Sequence, residues 1–196
     1  MKFPIGVIID SFRTDIPTAV GKAAKVGAQG IQVYATSGEM SPEELVGSKR
    51  ADFRRLVEDN GLVISALCGD LGGGFGNRDE NGWRVEKSKR IIELAKELGT
   101  DIVTTHIGVV PEDSGHERYK IMQDACFELS RFADSCLCDT RRCAVSNNDI
   151  LGIVNHIALA HGLLLFDNGI SCKALSDEAL EIRRLEIEGI YYIVLA

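Results

Sequence analysis

Six side chains in this sequence have the chemistry to contact a small polar ligand, and each stands at or just after the end of a short apolar run. They comprise three carboxylates, a phenol, a thiol and an imidazole: Asp10, Tyr34, Glu39, Cys68, Asp70 and His106. Carboxylates and phenols hydrogen-bond to hydroxyl groups, and an imidazole can bind a metal ion or transfer a proton. We expect these residues to contact substrate if the fold brings the ends of the runs together.

Each of these residues also has a purely structural interpretation. His106 is at the end of an apolar run, where it could be a hydrogen-bonded polar group of the core, and Asp70 could bond to its own backbone in a tight turn. Asp10 could cap the first helix, and Glu39 could be solvated surface. Cys68 could be a small buried apolar residue, because it has no basic neighbour in the sequence that would lower the pKa of its thiol.

Short runs rich in β-branched residues alternate with longer segments of helical spacing. The runs predict buried strands at Ile5–Ile9, Ile31–Tyr34, Leu62–Leu67 and Ile102–Thr105. Apolar stripes such as Ile91, Leu94, Ala95 and Leu98 predict helices between them. This order predicts a repeated strand–helix unit with right-handed connections and parallel strands.

Residues with special backbone preferences support the same boundaries. The segment Ser41–Glu44 predicts the start of the second helix, with an N-cap, a first-turn proline and a capping-box glutamate. Gly27, Gly61 and Gly99 each precede the next strand closely, so each predicts a left-handed end to a helix.

The loop residues favour a closed barrel over an open dinucleotide-binding sheet. The first strand is followed by Asp10-Ser11-Phe12-Arg13, where a Gly-x-Gly-x-x-Gly motif would be expected in a dinucleotide-binding protein. Small and polar residues follow all four predicted strands, which is where a (β/α) barrel builds its active site.

The bulk composition narrows the class of ligand. The chain has 196 residues, 45% of them hydrophobic, which is enough for one sizeable core. Its net charge of −7 argues against a nucleic-acid surface and favours a small soluble substrate. No apolar run has the length of a signal peptide core or a membrane span, so we expect a cytoplasmic location and reduced cysteines.

Four segments resemble the sugar phosphate isomerase/epimerase family, a branch of the xylose isomerase-like TIM barrels. They occur in order as IGVIIDSF, GIQVYATSGEM, VISALCGDLGG and EKSKRIIELAKELGTDIVTTHIGVVPED. The resemblance covers residues 1–135 and implies an isomerase that moves a proton between adjacent carbons of a small sugar, sugar phosphate or polyol. It also implies a divalent metal, Mn²⁺, Mg²⁺ or Zn²⁺, which would stabilise the enediolate.

The family's metal ligands come mainly from its later strands, and the sequence does not supply them at matching positions. His106 is a possible ligand and Asp167 a weak one, and together they would make a poor cage. We therefore expect weak or absent divalent-metal binding and little isomerase activity for this chain alone.

Residues 136–196 do not continue the family pattern. The stretch SCLCDTRRCAVSNND stands where a strand bearing a glutamate ligand is expected. The rest predicts a helix, a strand, a charged helix and a closing strand, at Ile150–Ala160, Leu163–Phe166, Asp177–Glu188 and Ile190–Leu195. A reading-frame slip or recombined gene end would produce such an abrupt change.

The fold class expected from these observations is α/β, an incomplete TIM-type (β/α) barrel. Residues 1–135 would form its N-terminal half, and residues 136–196 a divergent tail that packs on or partly completes the same domain. One alternative function is a non-catalytic half-barrel fragment, which would form homo-oligomers through its unpaired edge strands. A metal-dependent endonuclease of the same superfamily is the other, and the acidic charge disfavours it.

Overall fold

The computed structural model describes residues 4–137 and 192–195. Their regular elements are five strands and four helices: β1 (Gly6–Ile8), α1 (Ile16–Lys25), β2 (Gly30–Tyr34), α2 (Ser48–Asp59), β3 (Val63–Cys68), α3 (Arg78–Leu98), β4 (Val103–His106), α4 (Glu117–Leu137) and β5 (Tyr192–Leu195). Two short 3₁₀ turns, Ile9–Phe12 and Gly38–Met40, follow β1 and β2. None of the helices in these ranges is long and apolar enough to cross a membrane.

The strands form one sheet in the order β1-β2-β3-β4-β5, with β1 to β4 parallel. Consecutive parallel strands joined by helices are the arrangement that the strand–helix repeat predicted, and they place the carboxyl ends of four strands at one edge. β5 pairs antiparallel with β4, from Val103 opposite Leu195 to His106 opposite Tyr192.

The two faces of the sheet differ in polarity because side chains alternate along a strand. Ile31, Val33 and Leu67 are fully buried and belong to the core that the helices cover, together with apolar residues of α1, α3 and α4. Gln32 and Tyr34 alternate with them on β2 and lie on the opposite, inner face. The inner face therefore carries the polar groups.

A side-chain hydrogen bond crosses the inner face from β2 to β4. Nε2 of Gln32 on β2 donates to Oγ1 of Thr104 on β4 at 2.7 Å, across the intervening β3. Neighbouring strands are about 4.8 Å apart, so two strands separated by a third are about 10 Å apart in a flat sheet. The long side chain of Gln32 bridges this span, and Ala66 leaves room for the contact because it is small and in register with Gln32 on β3.

The glycine assignments are confirmed, and the predicted start of α2 is wrong. Gly27, Gly61 and Gly99 have φ values of 83°, 70° and 79°, the left-handed conformation expected after a helix. Ser41 begins only a single turn, closed by the bond from Leu45 N–H to Ser41 O. The helix starts at Ser48, because Gly47 with φ of 58° interrupts the chain before it.

Only the last of the elements predicted for the tail falls within the described residues. A strand was predicted at Ile190–Leu195, and the structure has one at Tyr192–Leu195. The segments Ile150–Ala160, Leu163–Phe166 and Asp177–Glu188, and the residue Asp167, lie outside the described residues. The division of the chain at residue 135 stays a prediction.

Candidate functional site at the carboxyl ends of the parallel strands

The last residues of β2, β3 and β4 lie at the carboxyl edge of the sheet. Tyr34 is in register with Cys68, and Cys68 with Thr104. His106 lies two residues beyond Thr104, so it shares the inner face and ends β4. The structure therefore brings three of the predicted residues, Tyr34, Cys68 and His106, to one edge.

Gln32 and Thr104 are two inner-face residues that the sequence analysis did not single out. Their hydrogen bond connects β2 to β4, with Thr104 in register with Cys68 and Gln32 one inner-face position before Tyr34. The amide oxygen of Gln32 and the hydroxyl proton of Thr104 add further hydrogen-bonding capacity to this part of the site. Each stands two residues before a predicted site residue, a spacing that puts it on the same strand face.

Asp10 joins the site from the turn after β1. Its Oδ2 accepts a hydrogen bond from the backbone N–H of Tyr34 at 3.1 Å, which fixes the carboxylate beside the end of β2. The alternative, that Asp10 caps the first helix, is wrong. Asp15 caps α1 instead, with Oδ1 accepting from Thr18 N–H at 3.0 Å, and this bond lowers the pKa of Asp15.

Cys68 is a buried thiol and not an activated nucleophile. Burial raises its pKa above the usual 9.0, and the charges of Asp70 and Asp10 raise it further. Hydrogen bonds involving the Asp70 backbone and the Thr104 side chain act in the opposite direction without reversing the shift. The thiol therefore stays protonated at neutral pH, with two carboxylates and a hydroxyl near it.

Asp70 shapes the loop after β3. Its Oδ1 accepts from Gly72 N–H at 2.9 Å, the tight-turn bond that the sequence analysis gave as the structural alternative. Gly72, Gly73 and Gly74 all have positive φ. Gly74 is buried against the loop after β4, and Phe75 N–H donates to Ile107 O at 2.9 Å, so the two loops are held together.

His106 and Glu39 differ in how closely the fold holds them. His106 is half-buried, and its Nε2 atom is shielded from solvent at the end of β4. Glu39 lies in the exposed turn Gly38–Met40, in agreement with its interpretation as solvated surface. Of these two residues, only His106 is held by the sheet at the carboxyl ends of the parallel strands, which form the mouth of the candidate site.

Two arginines beside the glycine loop were not predicted from the sequence. Arg84 of α3 is 8% exposed, donates to Gly74 O at 2.8 Å and pairs with Glu80 at 2.6 Å. Arg118 of α4 packs so closely that a Cβ atom on Gly76 would lie 2.2 Å from its Nε. Arg118 contacts glycines of two other loops, which no local pattern predicts, and the i,i+4 pairing of Arg84 with Glu80 gives no sign of its bond to Gly74.

A metal centre does not fit the described residues. Within residues 4–137 and 192–195, no three His, Cys, Asp or Glu side chains are grouped closely enough to hold a metal ion. His106 can offer one nitrogen ligand, whereas zinc sites use three or four protein ligands.

A sequence model of the xylose isomerase-like TIM barrel family matches residues 20–138. The chain belongs to this family. The match contains β2, β3, β4 and their helices, so the xylose isomerase-like barrel is the fold in which these strand ends meet.

Solved structures of xylose isomerase-like proteins have the same fold. A xylose isomerase domain protein from Planctomyces limnophilus is 22% identical, with a TM-score of 0.55 over 68% of this chain and 51% of the other. A sugar phosphate isomerase/epimerase from Parabacteroides distasonis is 14% identical, with a TM-score of 0.51 over 69% and 49%. The aligned part of this chain spans about half the length of each. A comparison with curated protein sequences finds no match.

Proposed function

We propose that the chain binds a small sugar, sugar phosphate or polyol at the carboxyl ends of β1 to β4, as part of an isomerase or epimerase. In this reaction type a proton moves between adjacent carbons through an enediolate. The observation that carries the proposal is the convergence of hydrogen-bonding groups from four strands, joined by the Asp10–Tyr34 and Gln32–Thr104 bonds.

The residue types at the mouth suit a polyhydroxylated ligand. Asp10 and Asp70 supply carboxylate acceptors, and Gln32 and Thr104 supply both donors and acceptors. A ligand with several hydroxyls satisfies such a set because each hydroxyl both donates and accepts. His106 and Tyr34 are proposed as further contacts, and Glu39 as part of an outer wall.

In an enzyme of this type a divalent ion would stabilise the enediolate when bound. The proposal assigns His106 as one possible ligand, and Asp167, outside the described residues, as a weak second. Weak or absent binding of Mn²⁺ is expected in calorimetry, since a cage of at least three preorganised ligands is not found in residues 4–137 and 192–195. Tight stoichiometric binding would contradict this expectation.

Binding and proton exchange test the proposed function separately. The full chain is titrated with a panel of pentoses, hexoses and their phosphates, and exchange of a substrate C–H proton is followed by NMR in D₂O with Mn²⁺ or Mg²⁺ present. We expect saturable binding of at least one panel member. Thr104→Val should weaken that binding about tenfold, because it removes a hydroxyl and leaves Gln32 without its partner.

Glu93→Gln is the matched control for this experiment, because Glu93 is an exposed residue of α3 away from the strand ends. Its binding should equal that of the parent chain. If no panel member binds, or if Thr104→Val and Glu93→Gln bind equally well, the proposed function is wrong.

A non-catalytic binding role is the second candidate. It is favoured by the donor set, which offers hydrogen bonds at the mouth but no three-ligand metal group among the described residues. Saturable sugar binding without any exchange of substrate protons, at every metal tested, would favour this role over the isomerase.

A further inference from the structure

Arg118 is a partly buried cation without a counter-ion in the described part of the chain. Every ion pair of the described residues involves other side chains, and Nε of Arg118 is shielded from solvent without a hydrogen-bond acceptor. Its neighbour Glu117 pairs with Arg78 instead. In a chain of net charge −7, an arginine left unpaired in this way is unexpected.

The position of Arg118 makes its charge more costly. It lies in the first turn of α4, a helix of 21 residues, where the backbone N–H groups already create positive potential. A cation is stabilised at the opposite end of a helix, so the dipole of α4 does not compensate the charge of Arg118. An anion near this turn would satisfy both the guanidinium and the helix terminus.

Two glycines, Gly76 and Gly108, let the guanidinium of Arg118 lie close to the backbone of two loops. A Cβ on Gly76 would lie 2.2 Å from Arg118 Nε, and a Cβ on Gly108 would lie 3.5 Å from its Nη2. Gly76 belongs to the loop after β3 and Gly108 to the loop after β4, two residues past His106. The guanidinium thus lies against the two loops that border the candidate site.

Arg84 has a different task on the same loop. Its Nη1 bonds to Gly74 O and its Nη2 pairs with Glu80, so its charge is compensated and it holds the loop from below. Arg84 therefore positions the glycine loop, whereas the charge of Arg118 has no acidic partner among the described residues.

We propose that Arg118 binds an anionic group of the ligand, a phosphate or a carboxylate, at the rim of the mouth. A guanidinium presents paired N–H donors that match the oxygens of either group. That this anion is part of a substrate rests on the function proposed above, whereas the binding of a free anion does not.

The test uses the full chain with inorganic phosphate and with malonate, each titrated by calorimetry against sodium chloride at matched ionic strength. We expect saturable binding of at least one of the two. Arg118→Gln should weaken it about tenfold or more, because a charge-assisted hydrogen bond is lost. Arg131→Gln, an exposed arginine on the same helix, is the matched control and should bind like the parent chain.

The outcomes separate the anion site from the sugar site. Preference for phosphate indicates a phosphorylated ligand, preference for malonate a carboxylated one, and both support the proposal. Equal binding by Arg118→Gln and Arg131→Gln overturns it, as does the absence of saturable binding. If Arg118→Gln does not fold, NMR of the parent chain decides, since phosphate or malonate must shift the amide signals of Gly76 and Gly108. Anion binding without sugar binding would leave this site standing while the proposed function fails.

Discussion

Cys126 shows how burial changes the chemistry of a single residue. It lies on α4 and packs against the core, and loss of solvation raises the pKa of its thiol from 9.0 to about 12. The folded chain therefore keeps a proton that the unfolded chain loses above pH 9. Because the folded state binds more protons in this range, its stability must fall as the pH rises.

The predicted effect is a pH-dependent loss of stability that Cys126 substitutions remove. From about pH 9.5 to 11, one such group lowers the free energy of unfolding by about 1.4 kcal/mol per pH unit. The free energy of unfolding is measured with urea at several pH values. For Cys126→Ala it should fall with pH less steeply than for the parent chain, by that amount. Cys126→Val should give the same shallower slope even if its stability at pH 7 differs, since neither residue titrates. An unchanged slope in both variants would show that the thiol titrates normally.

At the same scale, the sequence predicts the strand-end residues better than the residues around them. Tyr34 and His106 could be predicted from the sequence because each ends a recognisable apolar run. The two-residue period of a strand predicts that Gln32 and Thr104 share a face with Tyr34 and His106. It does not predict their hydrogen bond, because the sequence around a polar strand residue does not indicate its partner on another strand. Arg118 depends on contacts with glycines in two other loops, which no periodicity encodes.

The loops after β3 and β4 act as one element, because their backbones touch. A Cβ atom on Gly74 would lie 2.2 Å from the carbonyl oxygen of Ile107, whereas a Cβ on Gly72 would meet nothing within 4 Å. Both glycines have positive φ, 65° and 73°. They therefore share the same backbone strain and differ in the space around them.

This pair predicts two different costs for the same substitution. Gly72→Ala should lower the free energy of unfolding by about 1–2 kcal/mol, the cost of the left-handed conformation. Gly74→Ala should cost about 1–3 kcal/mol more, because the methyl group pushes the two loops apart. Urea denaturation measures both. Equal losses would mean that the loop contact does not constrain the chain.

Elements were predicted well where the sequence states both their type and their ends. The three helix-terminating glycines and the β-branched runs fixed most boundaries to within a residue or two. The helix start predicted at Ser41 is wrong, although the capping pattern there does form one turn. The positive φ of Gly47 separates this turn from the helix, which begins at Ser48. The pairing direction of β5 was not predictable, since an apolar run specifies a strand but not its partner.

At the scale of the whole molecule, the first strand is an edge of the sheet that the described residues form. Within residues 4–137 and 192–195, β1 pairs with β2 alone. Ile5 and Ile8, in and beside this strand, are 61% and 38% exposed. An edge strand with exposed apolar side chains favours pairing with another chain.

We therefore expect concentration-dependent self-association in sedimentation velocity. Ile5→Lys should reduce it, because a charge on an edge strand opposes pairing. Val26→Lys, at an equally exposed position after α1, is the control and should associate like the parent chain. A monomer at all concentrations, or equal effects of the two substitutions, would contradict this expectation.

The antiparallel strand β5 has a consequence for how the sheet can grow. It pairs with every residue of β4, from Val103 to His106, and so occupies the ladder that a fifth parallel strand would need. Two strands cannot share one set of N–H and C=O groups. While β5 remains in place, a strand added to the described sheet can pair with the outer edge of β1 or of β5, but no further parallel strand can pair directly with β4.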